Sequence, residues 1–320
     1  MGRRSLHLLL SAIVISAVAG CVSSQPPGSF VSLSILNSLS LPTGYQGSGI
    51  AVSGSLAFIS TKAVGSQNGA RSLVIVSLQT PAAPAILSAT SSGLRNDMAG
   101  IAVSGNYGYV PYESASGSNF QVWDISNAHG PLVVGSTSIS CPAGMHPFQN
   151  PVLYENYVYV SCWESEVTST GAIAIVDVSN PAALSVAGSV SVTAGYQPIS
   201  FAIWEQNLYV AVTQGGATSD HVLLYSIADP FSPSLRATQP VPHSPQWVAA
   251  KATEALLPIY DGTELQVVDF SNPASPQAYS ANLGSCHPMS VAVYLENLAL
   301  VACEQRGWAE EQTSDRPALD

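Results

Sequence analysis

Residues Tyr157-Val-Tyr-Val-Ser161 and Gly171-Ala-Ile-Ala-Ile-Val-Asp-Val-Ser-Asn-Pro181 decide the fold. In the first run aromatic and hydroxyl side chains alternate with valines, a period of two that marks a strand. The second run is denser in Ile and Val, as expected of a strand covered on both faces. Asp177 leads into Ser179-Asn180-Pro181. An Asp side chain accepts backbone N–H groups two residues on, and Pro cannot extend a ladder, so a turn follows. Upstream, residues 151–154 form a strand that closes in a tight turn at Glu155-Asn156. Downstream, residues 184–190 supply a fourth strand.

This unit slides along the chain. The hairpin turn recurs near Gly54-Ser55, Asn106, Asn207 and Asn297. The third strand recurs as Leu73-Val-Ile-Val-Ser77, Gln121-Val-Trp-Asp124, Leu223-Leu-Tyr-Ser226 and Gln266-Val-Val-Asp269. A four-stranded unit repeating about every 50 residues is the mark of a β-propeller. Blades are expected at 45–90, 97–138, 146–192, 197–239, 245–281 and 287–303. The sixth lacks its third strand, and Phe30-Val-Ser-Leu-Ser-Ile-Leu36 is expected to complete it and close the ring. The fold class is therefore all-β, a propeller of four-stranded antiparallel blades. The propeller spans 30–303, and 304–320 reads as a polar, strand-poor tail.

Leu73-Val-Ile-Val-Ser77, Ala174-Ile-Val-Asp-Val-Ser-Asn-Pro181 and Ile101-Ala-Val-Ser-Gly-Asn-Tyr-Gly-Tyr-Val110 resemble the LVIVD-repeat family. The resemblance covers roughly residues 45–303 and implies a propeller at a bacterial or archaeal cell surface. It implies no reaction. Val122-Trp123-Asp124 mimics a WD dipeptide, but only once and without its Gly-His partner.

The net charge is −11 and only Lys62 and Lys251 are lysines, which excludes a phosphate-binding nucleic-acid surface. Arg3 and Arg4 followed by an apolar stretch to Val18 make residues 1–20 a signal peptide. Val18-Ala-Gly-Cys21 looks like a bacterial lipobox. That likeness implies lipidation of Cys21, a tether over 21–29, and a lipoprotein of the outer membrane or cell surface. The alternative is an ordinary signal peptide with a chance cysteine. The partners expected are the membrane, through that anchor, and an envelope protein or ligand. Oligomeric state is not read.

No catalytic or cofactor motif is present, and no cofactor is expected. Asp124, Asp177 and Asp269 recur at one blade position and read as turn caps. The polar residues that open each first strand are Gln46, Asp97, His146, Gln197, Gln246 and His287. In a propeller they share one end of the channel with the ends of the second strands. Glu164 and Glu304 lie there too, each near a cysteine. Two histidines, two cysteines and two glutamates can make a metal site; the rival is polar channel lining plus disulfides. The long loops 163–171 and 214–220 are binding loops or ordinary solvated ones. Cys141 and Cys286 occupy the loop entering a first strand, whereas Cys162 and Cys303 end the second strand of the same blades. The repeat therefore pairs Cys141 with Cys162 and Cys286 with Cys303, with free thiols or metal ligation as the rival. Two function classes follow: a lipid-anchored, non-catalytic binding scaffold, and an envelope lyase or hydrolase using the channel-mouth histidines.

Overall fold

The computed structural model describes residues 14–18, 39–63, 71–114, 117, 119–164, 170–215, 218–242, 245–260, 262–284, 287–294 and 298–304. Among them there is no helix. The first sheet joins β2 (Tyr45–Ser53), β3 (Leu56–Ala63), β4 (Ser72–Ser77) and β5 (Ala85–Ser91). The second joins β6 (Ala102–Ser104), β7 (Tyr107–Pro111), β8 (Phe120–Asp124) and β9 (Leu132–Thr137). The third joins β10 (His146–Tyr154), β11 (Tyr157–Trp163), β12 (Ala172–Asp177) and β13 (Ser185–Ser191). The fourth joins β14 (Gln197–Trp204), β15 (Asn207–Thr213), β16 (Ser219–Ser226) and β17 (Ser234–Pro242). The fifth joins β18 (Ala249–Lys251), β19 (Glu254–Ile259), β20 (Glu264–Asp269) and β21 (Gln277–Asn282). Each is an antiparallel meander, the blade of a propeller.

The sixth sheet differs from expectation. Its strands are β22 (His287–Tyr294), β23 (Leu298–Glu304) and β1 (Val14–Val18), in the order β1-β23-β22. Val14 stands opposite Cys303 and Val18 opposite Ala299. The strand beside β23 thus comes from the apolar stretch read as a leader, and 30–36, expected to complete this blade, is not among the described residues. β23 presents an unpaired row of backbone groups, and a run of Val, Ile and Ala satisfies it. Segment 30–36, the tether, Cys21, Cys286 and the tail from 305 lie outside the described residues.

The turns explain the repeat. The first hairpins of five blades turn at Gly54, Gly105, Glu155, Glu205 and Ala252, whose φ values lie between 50° and 57°. This left-handed geometry matches the strand twist in a two-residue hairpin. Asn207 is not a turn residue: it pairs with Trp204, and the loop is Glu205-Gln206. The true period is thus 50 residues between Glu155 and Glu205. After the third strands of the second, third and fifth blades, Asp124, Asp177 and Asp269 accept the backbone N–H two residues on, at 2.9, 2.8 and 2.7 Å. The aspartates therefore cap turns, as their position predicts.

The core lies between blades rather than within them, because each sheet buries both faces. Phe58, Leu73 and Ile75 of the first sheet meet Val110, Tyr112 and Trp123 of the second. Ile173 and Ile175 meet Leu208, Val210 and Leu223 across the third and fourth. Leu256 and Leu265 meet Val291 and Val301 across the fifth and sixth. The third strands are almost wholly buried, and each such Val, Leu or Ile contributes roughly 1.5–3 kcal/mol. The outermost strands are largely exposed. Among the described residues no core cluster joins the first sheet to the sixth. Ala57, Val74 and Val76 form a cluster with Leu41, Ile59 and Leu78 alone. On β2, Ile50 and Val52 are 59% and 61% exposed.

Candidate functional site

The antiparallel register sets the start of each first strand beside the end of the second. Gln46 stands opposite Lys62, His146 opposite Trp163, Gln197 opposite Thr213 and His287 opposite Glu304. One end of the ring therefore gathers these polar side chains, and two of the first-strand residues there, Asp97 and Gln197, hold neighbouring blades together.

Asp97 is a staple. Its Oδ1 accepts the backbone N–H of Ala63 at 3.0 Å and pairs with Nε of Arg71, so the second blade is tied to the first. Gln197, fully buried, does the same between the third and fourth. Its Oε1 accepts the N–H of Glu164 at 3.0 Å, and its Nε2 donates to Glu164 Oε1 at 3.2 Å. Asp220 accepts Thr213 Oγ1 at 3.1 Å and the N–H of Gln214 at 2.9 Å, which closes the mouth of the fourth blade.

Glu113 adds a partly buried carboxyl at this end. Burial pushes it above the usual carboxylate range. The positive ends of His146 and Lys62 oppose that shift, and the Asp97 charge adds to it. The sequence reading missed Glu113 because it falls just past β7, outside the first-strand positions.

The histidines do not form one centre. Nδ1 of His146 lies 3.1 Å from the carbonyl oxygen of Pro147, and its ring meets Trp163 edge-on at 6.0 Å. Nδ1 of His287 is buried without a partner among the described residues. Cys141 and Cys162 form a disulfide with Cα atoms 5.4 Å apart. Cys303 is also disulfide-bonded, and its expected partner Cys286 lies outside the described residues. Neither strand-end cysteine is a free thiolate, so the two-His, two-Cys metal set is not assembled. Among the described residues no group of three or more His, Cys, Asp or Glu converges as a metal site.

A pocket of about 160 Å³ opens across the third, fourth and fifth blades. The third blade supplies Phe148, Gln149 and Trp163, the fourth Ile199 and Thr213, and the fifth Pro245 and Gln246. Phe148 and Trp163 stack at 4.2 Å with planes 18° apart. A bulge sets them there. Phe148 pairs with Ser161 and Val152 with Tyr159, so three residues of β10 face the single Val160. The corresponding bulges of β2, β14 and β22 carry one residue fewer. Gln149, within the bulge, has φ 59° and is the only non-glycine residue of positive φ outside a repeated hairpin turn among those described. Of the sequence candidates only Gln246 lines this pocket. The signal was present: nine residues separate His146 from the turn at Glu155, where eight separate Gln197 from Glu205.

The LVIVD repeat family matches residues 97–138, 149–192 and 259–280. The chain carries LVIVD repeats. A search of curated proteins finds no match. Among solved structures, a periplasmic gluconolactonase of Pseudomonas aeruginosa aligns with a TM-score of 0.59 at 14% identity, over 81% of this chain and 74% of that one. The Kuenenia stuttgartiensis hydrazine synthase aligns at 0.61 and 15% identity, over 79% and 73%. A functionally unknown protein from Desulfotomaculum acetoxidans aligns at 0.59 and 12%, over 84% and 80%. At these identities the likeness is one of fold: the LVIVD-repeat chain is a β-propeller.

Proposed function

We propose that this LVIVD-repeat propeller is a lipid-anchored scaffold of the cell envelope that binds a partner or ligand without transforming it. The anchor is Cys21, and the address is the outer membrane or cell surface; cleavage before Cys21 removes Val14–Val18, so on this reading the strand beside β23 belongs to the precursor and not to the anchored chain. The observation that carries the reading is the use of the mouth residues. Asp97, Gln197 and Asp220 serve as links within and between blades, which makes this end a stiff platform. A rigid face bearing an aromatic-lined pocket suits binding, because little order is lost on association. The test is crosslinking in intact cells followed by capture of the anchored protein. Recovery of one envelope component in constant ratio supports the scaffold. Its absence, even after crosslinking, overturns it. Replacement Cys21→Ser is expected to release the chain from the membrane fraction.

A second reading is an envelope hydrolase, motivated by Glu113, whose carboxyl pKa is raised by burial while His146 opposes the shift, two residue types able to move a proton. Because one structural neighbour is a gluconolactonase, hydrolysis of an aldonolactone is the assay. Turnover lost in both Glu113→Gln and His146→Ala supports this reading; turnover that is absent or insensitive to both removes it.

A further inference from the structure

We infer that the pocket of the third to fifth blades is a subsite for one uncharged sugar ring. The inference rests on the binding-scaffold reading and names the ligand class that its stiff end accepts.

Three features carry it. The pocket has a flat aromatic wall, the stacked pair Phe148 and Trp163. The C–H face of a pyranose is weakly positive and settles on the negative face of an aromatic ring, whereas a phosphate or carboxylate is repelled there. The polar groups that line the pocket beside that wall are amides and a hydroxyl, with the ring of His146 packed against both aromatics from outside the lining. Gln149 and Gln246 contribute amides, each able to donate and accept, and Thr213 contributes a hydroxyl that already donates to Asp220 and keeps its acceptor capacity. A carboxamide pair suits vicinal hydroxyls, which also donate and accept. Among the described residues bordering the pocket none carries a formal charge, so that described lining offers an anion no partner and a cation only the ring faces. Finally, the volume of about 160 Å³ admits a single ring and no long segment of a chain.

The backbone supports the same conclusion. Among the described residues only the third blade has the longer bulge, and only there does a non-glycine residue outside a repeated turn hold a left-handed φ. A fold that repeats one unit has no packing need for this departure. Strain of this kind gathers where a side chain must be aimed, and here it lies beside the aromatic wall. The Cys141–Cys162 disulfide fixes the strand end next to Trp163. Ring and bulge are thus held before any ligand arrives, which limits the order lost on binding.

The competing occupant is a proline ring of an extended peptide, which also stacks on indole. The experiment separates them. Saturation-transfer NMR and calorimetry on the full chain would use methyl glycosides of glucose, galactose, mannose and N-acetylglucosamine, then gluconate, then a proline-rich peptide. At least one neutral glycoside is expected to bind in the millimolar range, with ring protons saturated and gluconate silent. Trp163→Ala is expected to weaken binding at least tenfold. Gln246→Ala, which leaves the aromatic wall intact, is expected to weaken it several-fold with the melting temperature unchanged. Saturation by the peptide alone, gluconate equal to the glycosides, or full affinity in Gln246→Ala and Trp163→Ala would each overturn the inference. If no glycoside binds while crosslinking still recovers an envelope component, only this inference falls; if neither is seen, the scaffold reading falls as well.

Discussion

Replacing Gln197 tests how the blades are fastened at the mouth. Its side chain is fully buried and makes two hydrogen bonds to Glu164 across the boundary of the third and fourth blades. Each bond contributes about 1 kcal/mol net, and the N–H of Glu164 left without its acceptor costs about 1–3 kcal/mol more. Gln197→Ala is therefore expected to destabilise the protein by about 3–5 kcal/mol. In a domain of this size 1 kcal/mol moves the melting temperature by roughly 2–4 °C, so a fall of about 10 °C is expected. Gln197→Met fills the same volume without the polar atoms and is expected to lose somewhat less. Gln197→Glu keeps an acceptor for the Glu164 N–H but sets one carboxylate against another. That variant should be weak at neutral pH and recover as the pH falls through the carboxylate range. Tryptophan fluorescence during thermal melting reads all three. If Gln197→Ala melts within the equivalent of 0.5 kcal/mol of the parent, roughly the scatter of a neutral surface change, the staple reasoning is wrong.

Other predictions rest on separate features. Joint replacement of Cys141 and Cys162 by Ser frees a loop closed over 21 residues and is expected to cost about 3 kcal/mol, read as a denaturation midpoint under non-reducing conditions. Glu113 has a raised folded pKa, so its favourable protonated form is present at acid pH and lost as pH rises through that value. Glu113→Gln should therefore melt higher than the parent at neutral pH, and the gain should vanish below the ordinary carboxylate range. At the hairpin turns, Gly105 has φ 55° and open space where a Cβ would stand, so Gly105→Ala should cost on the order of 1 kcal/mol through conformation alone. Conversely, Glu205→Gly, at φ 52°, should gain a similar amount. Matched denaturation curves check both signs.

The blades were legible because each local signal agreed with the next. Alternation at Tyr157–Ser161, the dense run at 172–176 and the cap at Asp177 describe one unit, and the unit recurs. The register of the mouth was legible for the same reason. Slips came where composition imitates a position. Asn207 resembles Asn106 and Asn156, but the left-handed turn in that blade falls on Glu205-Gln206 and Asn207 opens the next strand. The completing strand was sought at 30–36 because that run alternates. The structure instead pairs β23 with Val14–Val18, equally rich in apolar side chains and equally able to satisfy an open edge. The pocket was missed because it depends on one extra residue in β10. A count of strand lengths exposes that residue, but residue type does not.

Among the described residues the first and sixth sheets share no core cluster, which has a mechanical consequence. A closed hoop resists twisting because every sector is braced on both sides. With Ile50 and Val52 facing solvent, the described blades behave as a split washer, each neighbour contact acting as a hinge in series. Small rotations at those hinges add up, so the bore can widen at the split while the third and fourth blades, farthest from it, barely move. The disulfide and the Gln197 link both sit in that quiet sector, beside the aromatic wall. Amide exchange should slow from either lip of the split toward the middle of the arc, leaving the stacked Phe148 and Trp163 at the point of least motion.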